Sequence, residues 1–210
     1  MSVPLLAVHI SDGFLSWEWL AGGWVGLAVL LFIAMRKVRE EEIPRIGVLT
    51  AAFFVSSSIH LKVLVTSVHL ILNGLVGVVL GRRAPLAITV GITLQYYLVS
   101  HGGKTTIGIN ACIVSVPALV AGAVYPMLRR LGVPPFVRGV LLGGGAVAGA
   151  VALNFLVLLF GGKEDWQTLA KLVLLAHVPI VVIEGLMLGV VVSYLEKVKP
   201  EMLGAGERPV

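Results

Sequence analysis

Five histidines are the residues of this chain best suited to chemistry: His9, His60, His69, His101 and His177. Neutral imidazole is the commonest metal ligand in proteins and suits nickel, cobalt, copper and zinc. His9 precedes the first apolar segment, His60 ends the second, His69 opens the third, and His101 lies in the loop after the fourth. His177 sits a few turns into the last segment from the same side. A single histidine at a membrane interface ordinarily just hydrogen-bonds; four gathered on one face point to metal.

Glu184 is the one carboxylate deep in an apolar segment. An unpaired charge there is costly, so it must face the protein interior and have a partner. His177 lies seven residues earlier, two helical turns along the same face. That is too far for a direct pair, so a third group or water must intervene; Asn154 and Gln95 are other candidate partners. An ion relay and a buried structural hydrogen bond both remain open. Ser56, Ser57 and Ser58 near His60 could suggest a hydrolase, but helix packing explains that turn better. No Gly-x-Ser-x-Gly or His-Glu-x-x-His string supports catalysis. A haem-binding oxidoreductase is the main alternative class. It needs histidines facing each other within the bilayer, where only His177 is well placed. Cys112 is the lone cysteine, so neither a disulfide framework nor a cysteine metal site exists.

The elements that position these residues are read from composition. Of 210 residues, 58% are hydrophobic and 13% charged, with a mean hydropathy of +0.99. A soluble domain carries about 25% charged residues; lipid must be the solvent of this surface. Seven apolar segments stand out, at about 17–35, 46–59, 67–80, 84–100, 110–128, 139–160 and 169–195. A perpendicular helix needs about 20 residues to cross the core. The second and third segments are shorter, so they, or the boundary between them, must be sheltered inside the membrane. The fold class is therefore all-α and membrane-integral, with about seven transmembrane helices. Residues 1–13 form an N-terminal extension and metal-binding loop, 14–197 the seven-helix domain and 198–210 a cytoplasmic tail. Residues 1–7 are too short and insufficiently basic for a signal peptide.

The loops set the orientation. With the N-terminus outside, the inner side holds Arg36, Lys37, Arg39, Arg45, Arg82, Arg83, Arg129, Arg130, Arg138, Lys197, Lys199 and Arg208, twelve of the sixteen basic residues. Only Lys62, Lys104, Lys163 and Lys171 fall outside, a clear positive-inside bias. The net charge of +5 thus reports topology, and no nucleic acid partner is expected. The small-residue run 143–150 predicts close helix packing. No phosphate-binding Gly-Lys-Ser/Thr loop is present, so ATP hydrolysis, if transport needs it, belongs to another subunit.

Four motifs, in order, resemble one family. The string from Val8 to Leu15, Val-His-Ile-Ser-Asp-Gly-Phe-Leu, is similar to the Met-His-Ile-x-Asp/Glu-Gly-Phe-Leu start of the CbiM/NikM proteins. Thr66-Ser67-Val68-His69-Leu70, with Asn73-Gly74-Leu75 and Gly81, resembles that family's second histidine motif. Gln95, His101-Gly102-Gly103, Thr105-Thr106, Gly108 and Asn110 resemble its central loop. His177-Val178-Pro179 and Glu184-Gly185 resemble its last span. Together they cover residues 8 to 203. These proteins are the metal-binding S components of energy-coupling factor transporters for cobalt and nickel.

The resemblance implies capture of Ni²⁺ or Co²⁺ as transported substrate, with no organic cofactor. Its partners would be a transmembrane coupling subunit, paired ATPases and a small accessory membrane subunit, in a prokaryotic plasma membrane. In the family the terminal amine, the next amide nitrogen and that residue's imidazole chelate the metal, and a second imidazole closes a square plane. His9 and His69 then match the ligands, and Val8 supplies the amine if translation begins there. Ser11 and Asp12 would shape the loop over the site, and Gln95 and His101 would support it from behind. If residues 1–7 are retained, side chains such as His60 or His101 must complete the ligand set. His177 and Glu184 remain as buried polar support. The square plane leans towards nickel, although the family serves both metals. Binding must release protons, so affinity should fall in acid.

Overall fold

The computed structural model describes residues 9–59, 61–63, 66–164 and 167–203; Val8 and His60 lie outside them. The helices are α1 (Trp17–Met35), α2 (Ile43–Ser58), α3 (Asn73–Leu80), α4 (Ala84–Val99), α5 (Ile107–Arg130), α6 (Pro135–Gly161), α7 (Gln167–Ala176) and α8 (Val178–Val198). One short hairpin interrupts the helices. In it β1 (Leu61–Val63) pairs antiparallel with β2 (Thr66–Val68), Leu61 opposite Val68. Prolines open several helices: Pro44 in α2, Pro85 in α4, Pro135 in α6 and Pro179 in α8. There the missing N–H has no helical partner to lose.

Among the described residues, five helical stretches are long and apolar enough to cross a membrane: Trp17–Met35, Asn73–Val99, Ile107–Arg130, Pro135–Gly161 and Ala170–Val198. The second of these reverses direction within itself. A Cβ on Gly77 would strike the Ala118 carbonyl, and one on Gly122 would strike the Gly77 carbonyl, so α3 runs alongside α5 in the same direction. Gly23 against Ile109 and Gly26 against Cys112 align α1 with α5 in the same sense. Gly81 then takes φ +52°, and α4 returns. Its first end lies by Arg83, whose guanidinium donates to carbonyls at the C-terminal end of α1 (Ala34, and Arg36 at 2.8 Å). Its last end delivers His101 to His9, ahead of α1. Alongside α4 runs α2, with Phe53 against Gly91 and Ser57 against Gln95.

Two sequence expectations change here. The third segment is not one helix: it begins as strand β2, continues as irregular chain through Leu72, and only then forms the eight-residue α3. Isolated, such chain would leave its polar groups unsatisfied in lipid; walled by α5, α6 and α8, it can bond to protein. The last segment is two helices broken at His177, because Pro179 lacks the N–H that would continue the α7 ladder. The glycine-rich face behaves as expected. A Cβ on Gly143 would come within 2.6 Å of the Glu184 carbonyl oxygen, so α6 and α8 touch backbone to backbone.

Candidate metal centre

His9, His69 and His101 converge at the end of the helices where α1 and α5 begin. His9 and His69 are buried, 2% and 1% exposed, and His101 is half-buried. The His9 and His69 rings stack, centroids 5.3 Å apart and planes 20° apart. His101 stands edge-on to both, at 4.9 Å from His9 and 5.3 Å from His69. One ring nitrogen from each lies within 4.8 Å of the others. A point equidistant from three nitrogens at that spacing is about 2.8 Å from each, whereas imidazole–metal bonds run about 2.0–2.1 Å. Closing the three rings on one ion would take inward movement on the order of 1 Å together with reorientation of the stacked rings. The sequence offered His101 as support behind the ligands, or as a ligand if residues 1–7 are retained; here its ring stands edge-on to both histidines.

Local backbone explains each approach. Ser100 ends α4 in the left-handed region at φ 52°, and the His101 amide folds back to the Gln95 carbonyl at 3.1 Å. That helix-terminating turn projects His101 off the helix end. Gly102 then takes φ +80°, a left-handed conformation that favours glycine. His69 follows β2 directly, and its Nδ1 lies 3.0 Å from the Leu70 carbonyl. A carbonyl only accepts, so Nδ1 carries the hydrogen and Nε2 carries the lone pair suited to metal.

The N-terminal segment is strapped across this end. The Ile10 amide donates to Asn110 Oδ1 and the Asn110 amide donates to the Ile10 carbonyl, both at 2.9 Å. The Thr106 hydroxyl donates to the same carbonyl at 2.6 Å. Asp12 accepts the Lys104 and Thr105 amides at 2.9 Å and the Thr105 hydroxyl at 2.5 Å. Burial works to raise the Asp12 carboxyl, but the Thr105 hydroxyl and the amides of Thr105, Lys104 and Thr106 outweigh it and hold the group below its ordinary 3.8. Asp12 thus fastens the N-terminal segment to the loop at Lys104 and Thr105, while Ser11 lies partly exposed beside it. Thr106 and Asn110 were not singled out as site residues. Their signal was a polar pair opening an otherwise apolar helix.

The Gln95 side chain donates to Ser57 between α4 and α2. The Ser56, Ser57 and Ser58 hydroxyls donate to the Phe53 or Phe54 carbonyls of their own helix. His177 bonds through Nδ1 to the Val173 carbonyl at 2.7 Å. Among the described residues it is the one histidine within a candidate span, so nothing supplies the facing pair a haem needs. The expected partners of Glu184 need correcting: its carboxyl accepts the backbone amides of Ile71 and Leu72. Irregular chain at that depth offers free N–H groups, which no reading of side chains alone would find.

Comparison with known proteins bears on the family and the fold. A family model described as the cobalt uptake substrate-specific transmembrane region, CbiM, matches residues 9–202. A Haemophilus influenzae protein provisionally described as a metal transport protein is 33% identical over 205 residues, covering 95% of this chain and 98% of the relative. A cobalt transport protein CbiM from Geobacter sulfurreducens is 29% identical, covering 95% of this chain and 62% of that longer protein. A crystal structure of a transition metal transporter superposes with a TM-score of 0.80 at 21% identity, over 92% of this chain and 94% of the other; that likeness shows the fold.

Proposed function

The chain belongs to the CbiM family of cobalt-uptake substrate-specific transmembrane regions, and on that premise we propose that it captures Co²⁺ at the outer membrane face with His9, His69 and His101. It is a metal transport component of a multi-pass membrane protein family and not an enzyme. The observation that carries the ligand set is the approach of three imidazole nitrogens to within 4.8 Å of one another at a strapped, mostly buried end. The family model describes cobalt uptake, so the reading prefers Co²⁺, with Ni²⁺, which imidazole also suits, as a second cargo.

The helix directions and the positions of the basic turns support a membrane arrangement. In this reading α1, α3, α5 and the α7–α8 pair descend from the metal end, while α2, α4 and α6 ascend. The N-terminal side and the histidines face outwards and the basic turns face the cytoplasm, giving seven passes of which α3 with its preceding chain is one. The plasma membrane of a prokaryote is the expected location. A coupling membrane subunit, ATPases and a small accessory subunit would supply the work that this chain, lacking a phosphate loop, does not.

The test is calorimetric titration of Co²⁺ and Ni²⁺ into the purified chain and into His9→Ala, His69→Ala and His101→Ala. Each substitution is expected to weaken binding at least ~10-fold, and absence of Co²⁺ and Ni²⁺ binding by the parent chain would sink the reading. A form with methionine placed directly before His9 tests the amine chelate implied by a start at Val8. If that form binds far more tightly and no longer depends on His101, the terminal amine takes the third imidazole's place.

A further inference from the structure

Glu184 is 2% exposed on α8, and neither of its oxygens meets a charged side chain among the described residues. One accepts the Ile71 amide and the other the Leu72 amide, the latter at 2.9 Å. These amides belong to the irregular stretch that begins with His69 and ends at α3. Leu72 holds φ 53°, a left-handed conformation that a leucine adopts only at a cost. Successive amides around such a residue can point at one acceptor. The acceptor is itself on a fixed element, because α8 presses backbone to backbone against α6 at Gly143. The His69 ring, in turn, is oriented by the next carbonyl, that of Leu70. Between the packed helix pair and the imidazole there are thus two hydrogen bonds and two residues of chain.

We infer that Glu184 is a positioning residue for the metal site: by holding the Ile71 and Leu72 amides it sets where the His69 imidazole stands relative to His9 and His101, without itself touching the ion. The inference rests on the three-histidine reading above. It assigns the intramembrane carboxylate a task other than ion relay. It also explains why a glutamate is used. Each oxygen holds one amide, whereas glutamine in the same pose would set an NH₂ donor against one of the two N–H groups.

The experiment uses the full chain in detergent, titrated with Co²⁺ and followed by calorimetry and by the visible absorption of the bound ion. The set is wild type, Glu184→Gln, His69→Ala and the double variant. Loss of an outer partner of a metal ligand typically lowers affinity 10- to 100-fold. Glu184→Gln is expected to lower it at least ~10-fold and to move the Co²⁺ spectrum towards that of His69→Ala. In the His69→Ala background the same change should have little further effect, because its route to the ion is already cut. Equal losses in both backgrounds, or an unaltered spectrum, overturn the inference. Glu184→Asp, which keeps both oxygens, should bind between wild type and Gln, with a shifted spectrum. If the Gln variant does not fold, Asp carries the test, and wild-type affinity and spectrum there overturn the inference. Failure of the wild type to bind Co²⁺ or Ni²⁺, or indifference of binding to His69→Ala, defeats the parent reading instead.

Discussion

Asp12 and Thr105 are joined twice, by the Thr105 amide at 2.9 Å and its hydroxyl at 2.5 Å, both donating to one carboxylate oxygen. Ninety-three residues separate them in sequence, yet this pair fixes the N-terminal segment to the loop that presents His101. Asp12→Ala should therefore weaken Co²⁺ binding without abolishing it, by about 10-fold, the lower range for a partner behind a metal ligand. Thr105→Val, which keeps the amide bond, should cost less. A calorimetric titration in which Asp12→Ala binds like wild type would show that the strap does not order the site.

Acid should release the ion, and the strap should not be the reason. Each imidazole must lose its proton to bind, so lowering the pH sets protons against the metal. With three imidazoles, the slope of log affinity against pH should approach three on the acid side. Asp12 behaves oppositely. Its folded-state value lies below the ordinary 3.8, so its stabilisation is complete above 3.8 and is lost only as pH falls through the depressed value. Between pH 5 and pH 7 the Asp12→Ala variant should therefore show lower affinity but the same slope. A slope near one would argue that a single histidine, not three, holds the ion.

Close helix contact makes a sharp contrast between two glycines. A Cβ at Gly77 would run into the Ala118 backbone, whereas one at Gly145 meets nothing within 4 Å. Gly77→Ala must push α3 from α5, and overpacking of this kind costs about 1–3 kcal/mol. Because α3 follows the His69 segment, metal affinity should fall with stability. Gly145→Ala should leave melting temperature and Co²⁺ affinity of the isolated chain unchanged. Equal melting temperatures for the two variants would contradict the packing between α3 and α5.

Much of this was legible in the sequence, and the failures have a common physical cause. Hydropathy located α1 to the residue and α4 to within one, because a lipid-facing helix must be apolar along its whole length. His9, His69 and His101 were visible as a cluster at one end, and the family motifs carried Asp12 and Asn110. What escaped was the course of the chain between His60 and Asn73. Val68, Leu70, Ile71 and Leu72 are as apolar as any span, yet their backbone is strand or irregular. Hydropathy reports burial and is blind to backbone geometry when neighbouring helices, not lipid, form the wall. Glu184 was misread for the same reason: its partners are amides that a helix would have consumed.

At the opposite end from the histidines, Arg138 ties three helices. Its Nη2 donates to both Glu196 oxygens at 2.6 Å, and its guanidinium lies 5.5 Å from the centre of the Tyr125 ring. The Tyr125 hydroxyl donates to the same carboxylate at 2.5 Å. The Arg138 side chain is 4% exposed and that of Glu196 17%. Removing only the cation leaves a mostly buried carboxylate without its counter-charge, which costs on the order of 3 kcal/mol. Arg138→Met should thus lower the melting temperature strongly, and Tyr125→Phe by the equivalent of about 1.5–3 kcal/mol, one hydrogen bond to a charged group. Adding Glu196→Gln to Arg138→Met should recover a good part of the loss, because the stranded charge is then gone. Co²⁺ affinity should change little across the series, since the metal site lies at the other end of the bundle. A double variant less stable than Arg138→Met alone would mean that the carboxylate is held by partners other than the arginine.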